Sequence, residues 1–230
     1  MKTIGLLGGM SWESSVTYYQ EINRGIAQEL GALHSAKLVM ISVDFAEIEA
    51  LQVKGDWEQA GYLLAKEAKK VENAGADFLL IATNTMHKVF EQVSSAISIP
   101  VIHIADATGE VLQQDSINKV GLLGTAFTMA HAFYKDRIES QFNIDVIVPE
   151  EAQRKKVHKI IYGELCHGKI TPESKAEYLD IIADLKKMGA QAVILGCTEI
   201  GLLIDRGDTD IPLYDTAKIH AEKAISLALA

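Results

Sequence analysis

The chain has 230 residues, 48% hydrophobic and 23% charged, with a formal net charge of −9. Such a composition reads as a globular protein, and its acidity argues against a nucleic-acid backbone as partner, though not against a small anion held by local backbone N–H groups. The two cysteines, Cys166 and Cys197, fall in no Cys-x-x-Cys or His/Cys cluster, so a zinc site has little support and no metal is expected.

The first segment, "MKTIGLLGG", has one lysine and a short apolar run, and the glycine pair followed by "SWESS" breaks the pattern of a signal peptide. No apolar run approaches the length of a membrane span, so the expectation is a cytoplasmic protein without a disulfide. Residues 4–7 read as a strand entering the turn "GLLGGM". Its glycines stand at 5, 8 and 9, which is neither a dinucleotide fingerprint nor a P-loop. Two readings remain for it: N–H groups that meet a small carboxylate, with Met10 and Ser11 at the lip of a cleft, or a plain strand-to-helix turn that needs glycine.

Further strands are expected at 38–43, 78–81, 101–104, 120–123, 146–148, 192–195 and 213–214, mostly continuous apolar runs of the kind covered on both faces. Amphipathic helices fall among them at 58–73, with Ala60, Leu63, Leu64 and Val71 on one side, and at 174–188, with Tyr178, Ile181, Ile182 and Leu185. The alternation predicts parallel sheets built from βαβ units.

The chain also repeats itself. "TIGLLG" at 3–8 answers "KVGLLG" at 119–124, "GADFLLIATNT" at 75–85 answers "GAQAVILGCTE" at 189–199, and "IPV" at 99–101 answers "IPL" at 211–213. Three segments in one order at nearly one spacing predict an α/β fold of two pseudo-duplicated lobes, each a mostly parallel sheet flanked by helices. The expected division gives 1–98 and 211–230 to the first lobe and 99–210 to the second. Ligands of open parallel sheets gather beyond the carboxyl ends of strands, so the active site is expected in a cleft between the lobes. The matching loops are then "TNT" at 83–85 and "CTE" at 197–199, with Thr83 equivalent to Cys197 and the turn Gly124-Thr125 equivalent to Gly8-Gly9. The Thr125 hydroxyl either binds a ligand or caps the helix after it.

Cys197 follows the apolar run "AVILG" and precedes a segment able to open a helix. A thiol there is expected to have a lowered pKa and to serve as an acid or base. The motifs "GLLGGMSWESS", "ATNTMH", "LLGT" and "GCTEIGLL" together resemble the aspartate/glutamate racemase family nearly end to end, with "GCTE" nearer its aspartate branch. The resemblance implies a cofactor-independent amino-acid racemase in which two thiols flank the substrate α-carbon, one removing and the other returning a proton. It assigns the second thiol to Cys197, carboxylate binding to Asn84, Thr85 and Thr198, and a loop- or ammonium-positioning role to Glu199. No cofactor is implied, the partner is a small amino-acid substrate, and relatives of this kind commonly pair as homodimers.

Two departures from the family pattern stand out. Thr83 replaces the first cysteine, and a hydroxyl is too weak an acid to ionise freely at neutral pH. It can relay a proton, which predicts unequal rates in the two directions. Gln52 stands where an arginine would grip a distal carboxylate, and Glu164 and Cys166 stand where the family tends to place a lysine. Substrate choice is therefore expected to be broader than aspartate alone. A single-thiol decarboxylase or isomerase of the same superfamily, and a non-catalytic amino-acid binder, stay open as alternatives. His87, the pair His103 and Asp106, and the pair Asp215 and His220 are further polar candidates, each with an equally good reading as a satisfied structural group.

Overall fold

A computed structural model describes residues 1–31 and 33–230, and the chain divides into two compact units. The first comprises 1–104 and 217–230, the second 105–216. These boundaries differ from the expected 98/99 and 210/211 because each "IP" segment leads into a strand of the sheet that precedes it rather than returning the chain to the other lobe.

In the first unit, strands β1 (Ile4–Gly8), β2 (Leu38–Ser42), β3 (Phe78–Ile81) and β4 (Val101–Ile102) form a parallel sheet in the order β2-β1-β3-β4. Helices α1 (Trp12–Leu30), α2 (Phe45–Lys54) and α3 (Trp57–Asn73) connect its strands. A 3-10 turn (Thr85–Val89) runs into the short α4 (Phe90–Ser94), and α5 (Ile104–Gln114) leaves the unit. β1 and β3 are buried along their whole length because both sheet faces are covered. One face packs Leu7, Leu79 and Ile81 against Ile48, Leu64 and Val71. The other packs Ile4, Leu6, Phe78 and Leu80 against Tyr18, Ile22, Ala217, Ala221 and Ala224. Alternate residues of β1 and β3 thus serve opposite layers, as the two-residue period of a strand requires. Each fully buried Leu or Ile contributes about 1.5–3 kcal/mol.

The second unit repeats this plan. Strands β5 (Lys119–Gly124), β6 (Asp145–Ile147), β7 (Ala192–Gly196) and β8 (Leu213–Asp215) lie parallel in the order β6-β5-β7-β8, the same permutation as the first sheet. Between them run α6 (Ala126–Ala130), α7 (Ala132–Phe142), α8 (Glu151–Gly163), a 3-10 turn (Leu165–His167), α9 (Pro172–Lys187) and α10 (Ile200–Leu203). The last helix, α11 (Thr216–Leu229), re-enters the first unit. α9 begins where the sequence requires: Thr171 accepts a hydrogen bond from Ser174 N–H at 3.1 Å, and Pro172 sits in the first turn. Its buried residues include Tyr178, Ile181, Ile182 and Leu185, the side expected from their spacing. In α3, Ala60, Leu64 and Val71 are likewise buried, whereas Leu63 is only half-buried at the edge of the stripe.

Candidate functional site

Within each sheet the winding direction reverses at one place, between β1 and β3 in the first and between β5 and β7 in the second. Loops leaving two such neighbours diverge, and the opening between them is where open α/β sheets hold ligands. Four chain segments leave these strand ends: the turns after β1, β3, β5 and β7.

After β1, the Gly9 N–H donates to Ser15 Oγ at 2.7 Å and Ser11 caps α1 by accepting from Ser14 N–H at 3.4 Å. Gly9 has φ +92°, and a Cβ there would lie 2.3 Å from the Val43 carbonyl oxygen, so backbone space and conformation both demand glycine. The Gly9 N–H is thus spent on the strand-to-helix turn rather than offered to a carboxylate. Met10 is not at a lip: it is buried in the apolar layer with Leu7, Ile48 and Met86.

After β3, Thr83, Asn84 and Thr85 are all buried, with Thr83 7% exposed. The Thr83 N–H donates to Ile81 O at 2.8 Å, and its own carbonyl lies 2.8 Å from His87 Nδ1. Ser14 Oγ donates to Ala82 O at 3.2 Å, linking the start of α1 to the end of β3. Gln52, buried on α2, reaches the same turn through its Nε2, which lies 3.0 Å from Met86 Sδ. The expected first-unit residues Gln52, Asn84 and Thr85 thus gather about the loop that carries Thr83. Lys54 is exposed at the end of α2.

After β5, Thr125 is the N-cap of α6: its Oγ1 accepts from Thr128 N–H at 3.2 Å and lies 3.2 Å from Thr128 Oγ1. Capping, the second of its two expected roles, is what the geometry realises. The Ala126 N–H donates to His158 Nδ1 at 3.2 Å, and burial lowers the His158 pKa, in keeping with a neutral acceptor ring.

After β7, Cys197, Thr198 and Glu199 form a compact buried group. Cys197 Sγ donates to Glu199 Oε2 at 2.8 Å, and Thr198 Oγ1 donates to the same oxygen at 2.9 Å. Cys197 is 8% exposed and packs beside Leu195, Tyr178 and Ile200. Burial, followed by the negative charge of Glu199, pushes its thiol pKa well above the ordinary value. This corrects the expectation of a lowered pKa. The helix that follows has only four residues, too short to offset burial beside a carboxylate. The resting group is a protonated thiol handed to a carboxylate acceptor. Sequence reasoning gave Glu199 a positioning role and missed this direct link; the Cys-x-Glu spacing at a strand end was the available signal.

The remaining polar candidates separate. Asp106 makes a two-pronged ion pair with Arg137, at 2.5 and 2.7 Å, and is not a partner of His103, whose ring packs tilted against that of His87 at 4.4 Å between centroids. His220 bonds to Tyr18 Oη and Ile102 O rather than acting with Asp215. Cys166 is half-buried against the second unit's core. Among the described residues no cluster of metal-ligating side chains occurs.

The match to known families decides the class: residues 7–224 fit the description Asp/Glu/Hydantoin racemase. The chain belongs to that family. This racemase is an isomerase of the amino-acid racemase class. It is 47% identical to a Yersinia pestis protein solved as a candidate Asp/Glu racemase, with TM-score 0.92 and all of both chains covered. It is 34% identical to an aspartate racemase homologue from Pyrococcus horikoshii, again over all of both chains, with TM-score 0.85. The broad specificity amino-acid racemase RacX of Bacillus subtilis is 24% identical over 163 residues, 71% of this chain and 70% of its own.

Proposed function

We propose that this racemase inverts small polar α-amino acids, aspartate and glutamate among them, by proton transfer at the α-carbon without a cofactor. Cys197 is the acid–base group on one face of the substrate and Thr83 stands in place of the first thiol on the other. The observation that carries the reading is the 2.8 Å contact between Cys197 Sγ and Glu199 Oε2 at the exit of β7. In the forward step the thiol proton passes to Glu199, and the thiolate takes the α-proton. The carbanion that results accepts the hydroxyl proton of Thr83; Thr83 recovers one from water, and Glu199 gives the proton it took to the hydroxide left behind, which restores the starting state. Asn84, Thr85 and Thr198 supply hydrogen bonds for the substrate carboxylate.

The reading makes deprotonation by Cys197 the easier direction, because a hydroxyl starts from a much higher pKa than a thiol. The equilibrium between free enantiomers stays at one, so the asymmetry is one of rate constants. Gln52 is neutral and buried, so it offers a distal carboxylate a hydrogen bond and no charge. That supports a broader substrate range than aspartate, in line with the broad specificity stated for the Bacillus subtilis relative.

The test is a panel of L- and D-amino acids incubated with the enzyme in deuterium oxide. Deuterium is expected at the α-carbon of aspartate, glutamate and neutral polar amino acids, entering faster from one enantiomer than the other. Strict selectivity for aspartate, or equal rates from both enantiomers, overturns the substrate or the asymmetry respectively.

A further inference from the structure

The first unit contains a buried array of three histidines that the reaction as described does not use. His87 follows the β3 loop, His103 lies at the end of β4, and His220 projects from α11. All three are buried. Ring centroids of His87 lie 4.4 Å from His103 and 6.0 Å from His220.

Hydrogen bonds fix the protonation of two of them, His87 and His220. His87 Nε2 lies 3.1 Å from the Ile104 backbone nitrogen, which can only donate, so Nε2 must carry a lone pair. Its Nδ1 lies 2.8 Å from the Thr83 carbonyl, which can only accept, so Nδ1 must carry the proton. His220 is the mirror case. Nε2 faces the Ile102 carbonyl at 3.0 Å and so carries the proton, leaving Nδ1 to accept from the Tyr18 hydroxyl at 2.9 Å. Each ring is therefore locked as one neutral tautomer, and the two tautomers are opposite. The bonds connect the backbone of Thr83 to Ile104, just past β4, and Ile102 to Tyr18 on α1.

We propose that His87 is a positioning residue for Thr83, tying the carbonyl of the proton-relaying residue to the end of β4. The proposal rests on the acid–base reading above. A hydroxyl must approach its carbanion closely and in line, because it lacks the thiolate's reach and reactivity. A displacement of the loop therefore harms return of the proton by Thr83 and leaves removal by Cys197 in place. Substitution of His87 thus separates two events that wild type couples. One is exchange without inversion, in which Cys197 removes a proton and returns a deuteron to the same face. The other is inversion, which needs Thr83.

Two variants isolate the tether. His87→Asn keeps an amide donor at the position of Nδ1 for the Thr83 carbonyl. His87→Gln keeps an acceptor near Nε2 for Ile104 N–H and loses the Thr83 bond. In deuterium oxide, with L- and D-aspartate and L- and D-glutamate as probes, the measured quantity is the ratio of inversion to exchange from the faster-exchanging enantiomer. Because both come from one sample, the folded fraction cancels. His87→Gln is expected to lower the ratio about tenfold, a size ordinary for misplacing a reacting group, and His87→Asn to restore most of it. An unchanged ratio in His87→Gln, with exchange intact, overturns the tether alone. Absence of α-deuterium with the wild-type enzyme, or its persistence in Cys197→Ala, overturns the acid–base reading and the tether with it. On wild type, nitrogen-15 correlation spectra are expected to show His87 as the Nδ1–H tautomer; an Nε2–H tautomer overturns the proposal without any variant.

Discussion

The loops leaving β3 and β7 hold the same place in two sheets of identical strand order, yet their chemistry differs. After β7 a thiol rests on a carboxylate, with both buried in the second unit. After β3 a threonine occupies the equivalent position, and its main chain, not its side chain, receives the conspicuous support, from His87. The strand permutation and the buried strands were kept in both copies because packing demands them. The side chains at the two strand exits differ: Cys197 joins the apolar core of its unit, whereas Thr83 is a buried polar residue. A duplicated scaffold therefore does not imply duplicated acid–base strength, and the comparison can be broken from either side.

The largest effect is expected from the β7 loop. Cys197→Ala should lower α-proton exchange by about 10³-fold, in the range for losing a positioned acid–base group, when followed by proton NMR in deuterium oxide. Retained exchange would show that the β7 loop is not the stronger of the two. Glu199→Gln keeps shape and removes the negative charge that lets the side chain act as a base. Exchange should fall by about 10²-fold, and the rise of activity with pH should move to lower pH, because the negative charge that helps hold the thiol pKa up is gone. An unshifted pH profile would mean that the carboxylate serves only to hold the loop.

Making the loops alike tests the comparison directly. Thr83→Cys should raise the slower direction about tenfold and bring the two rate constants together, measured by polarimetry or chiral chromatography from each pure enantiomer. No gain in the slower direction would remove the hydroxyl as its cause.

The smallest effect concerns stability in the first unit. Burial, then the neighbouring His87, depresses the His220 pKa from 6.5 to about 3. The unfolded chain takes up that proton below 6.5 while the folded unit resists it, so this contribution is fully present above pH 6.5 and is lost as pH falls toward 3. Between pH 6.5 and 4.5 the loss amounts to roughly 2–3 kcal/mol. Thermal unfolding at those two pH values should show a smaller drop in His220→Gln than in wild type. An equal drop would mean that His220 is not what makes this unit acid-sensitive.

The pattern of apolar runs was enough to place the eight strands found among the described residues, most directly those buried on both faces, which must be continuously apolar. The repeat fixed the correspondence of Thr83 with Cys197, and the sheet orders agree with it. The unit boundaries were misplaced because "IPV" and "IPL" are locally identical in kind whichever sheet they join; pairing of β4 with β3 and β8 with β7 is a non-local fact. Met10 looked like a rim residue for a similar reason: nothing in "GGMSW" tells that its side chain turns into the layer containing Ile48.

What the sequence determined by itself was the kind of fold, the duplication and the residue types at the two strand exits, since these follow from local periodicity and from side-chain chemistry. Only the tertiary structure decided the protonation of those residues. Burial raises the thiol pKa of Cys197, Glu199 Oε2 accepts its hydrogen bond, and backbone groups from the β3 loop and the β4–α5 junction choose the His87 tautomer. A pKa depends on the dielectric and the partners within a few ångströms, and the fold brings to that distance groups that the chain keeps far apart.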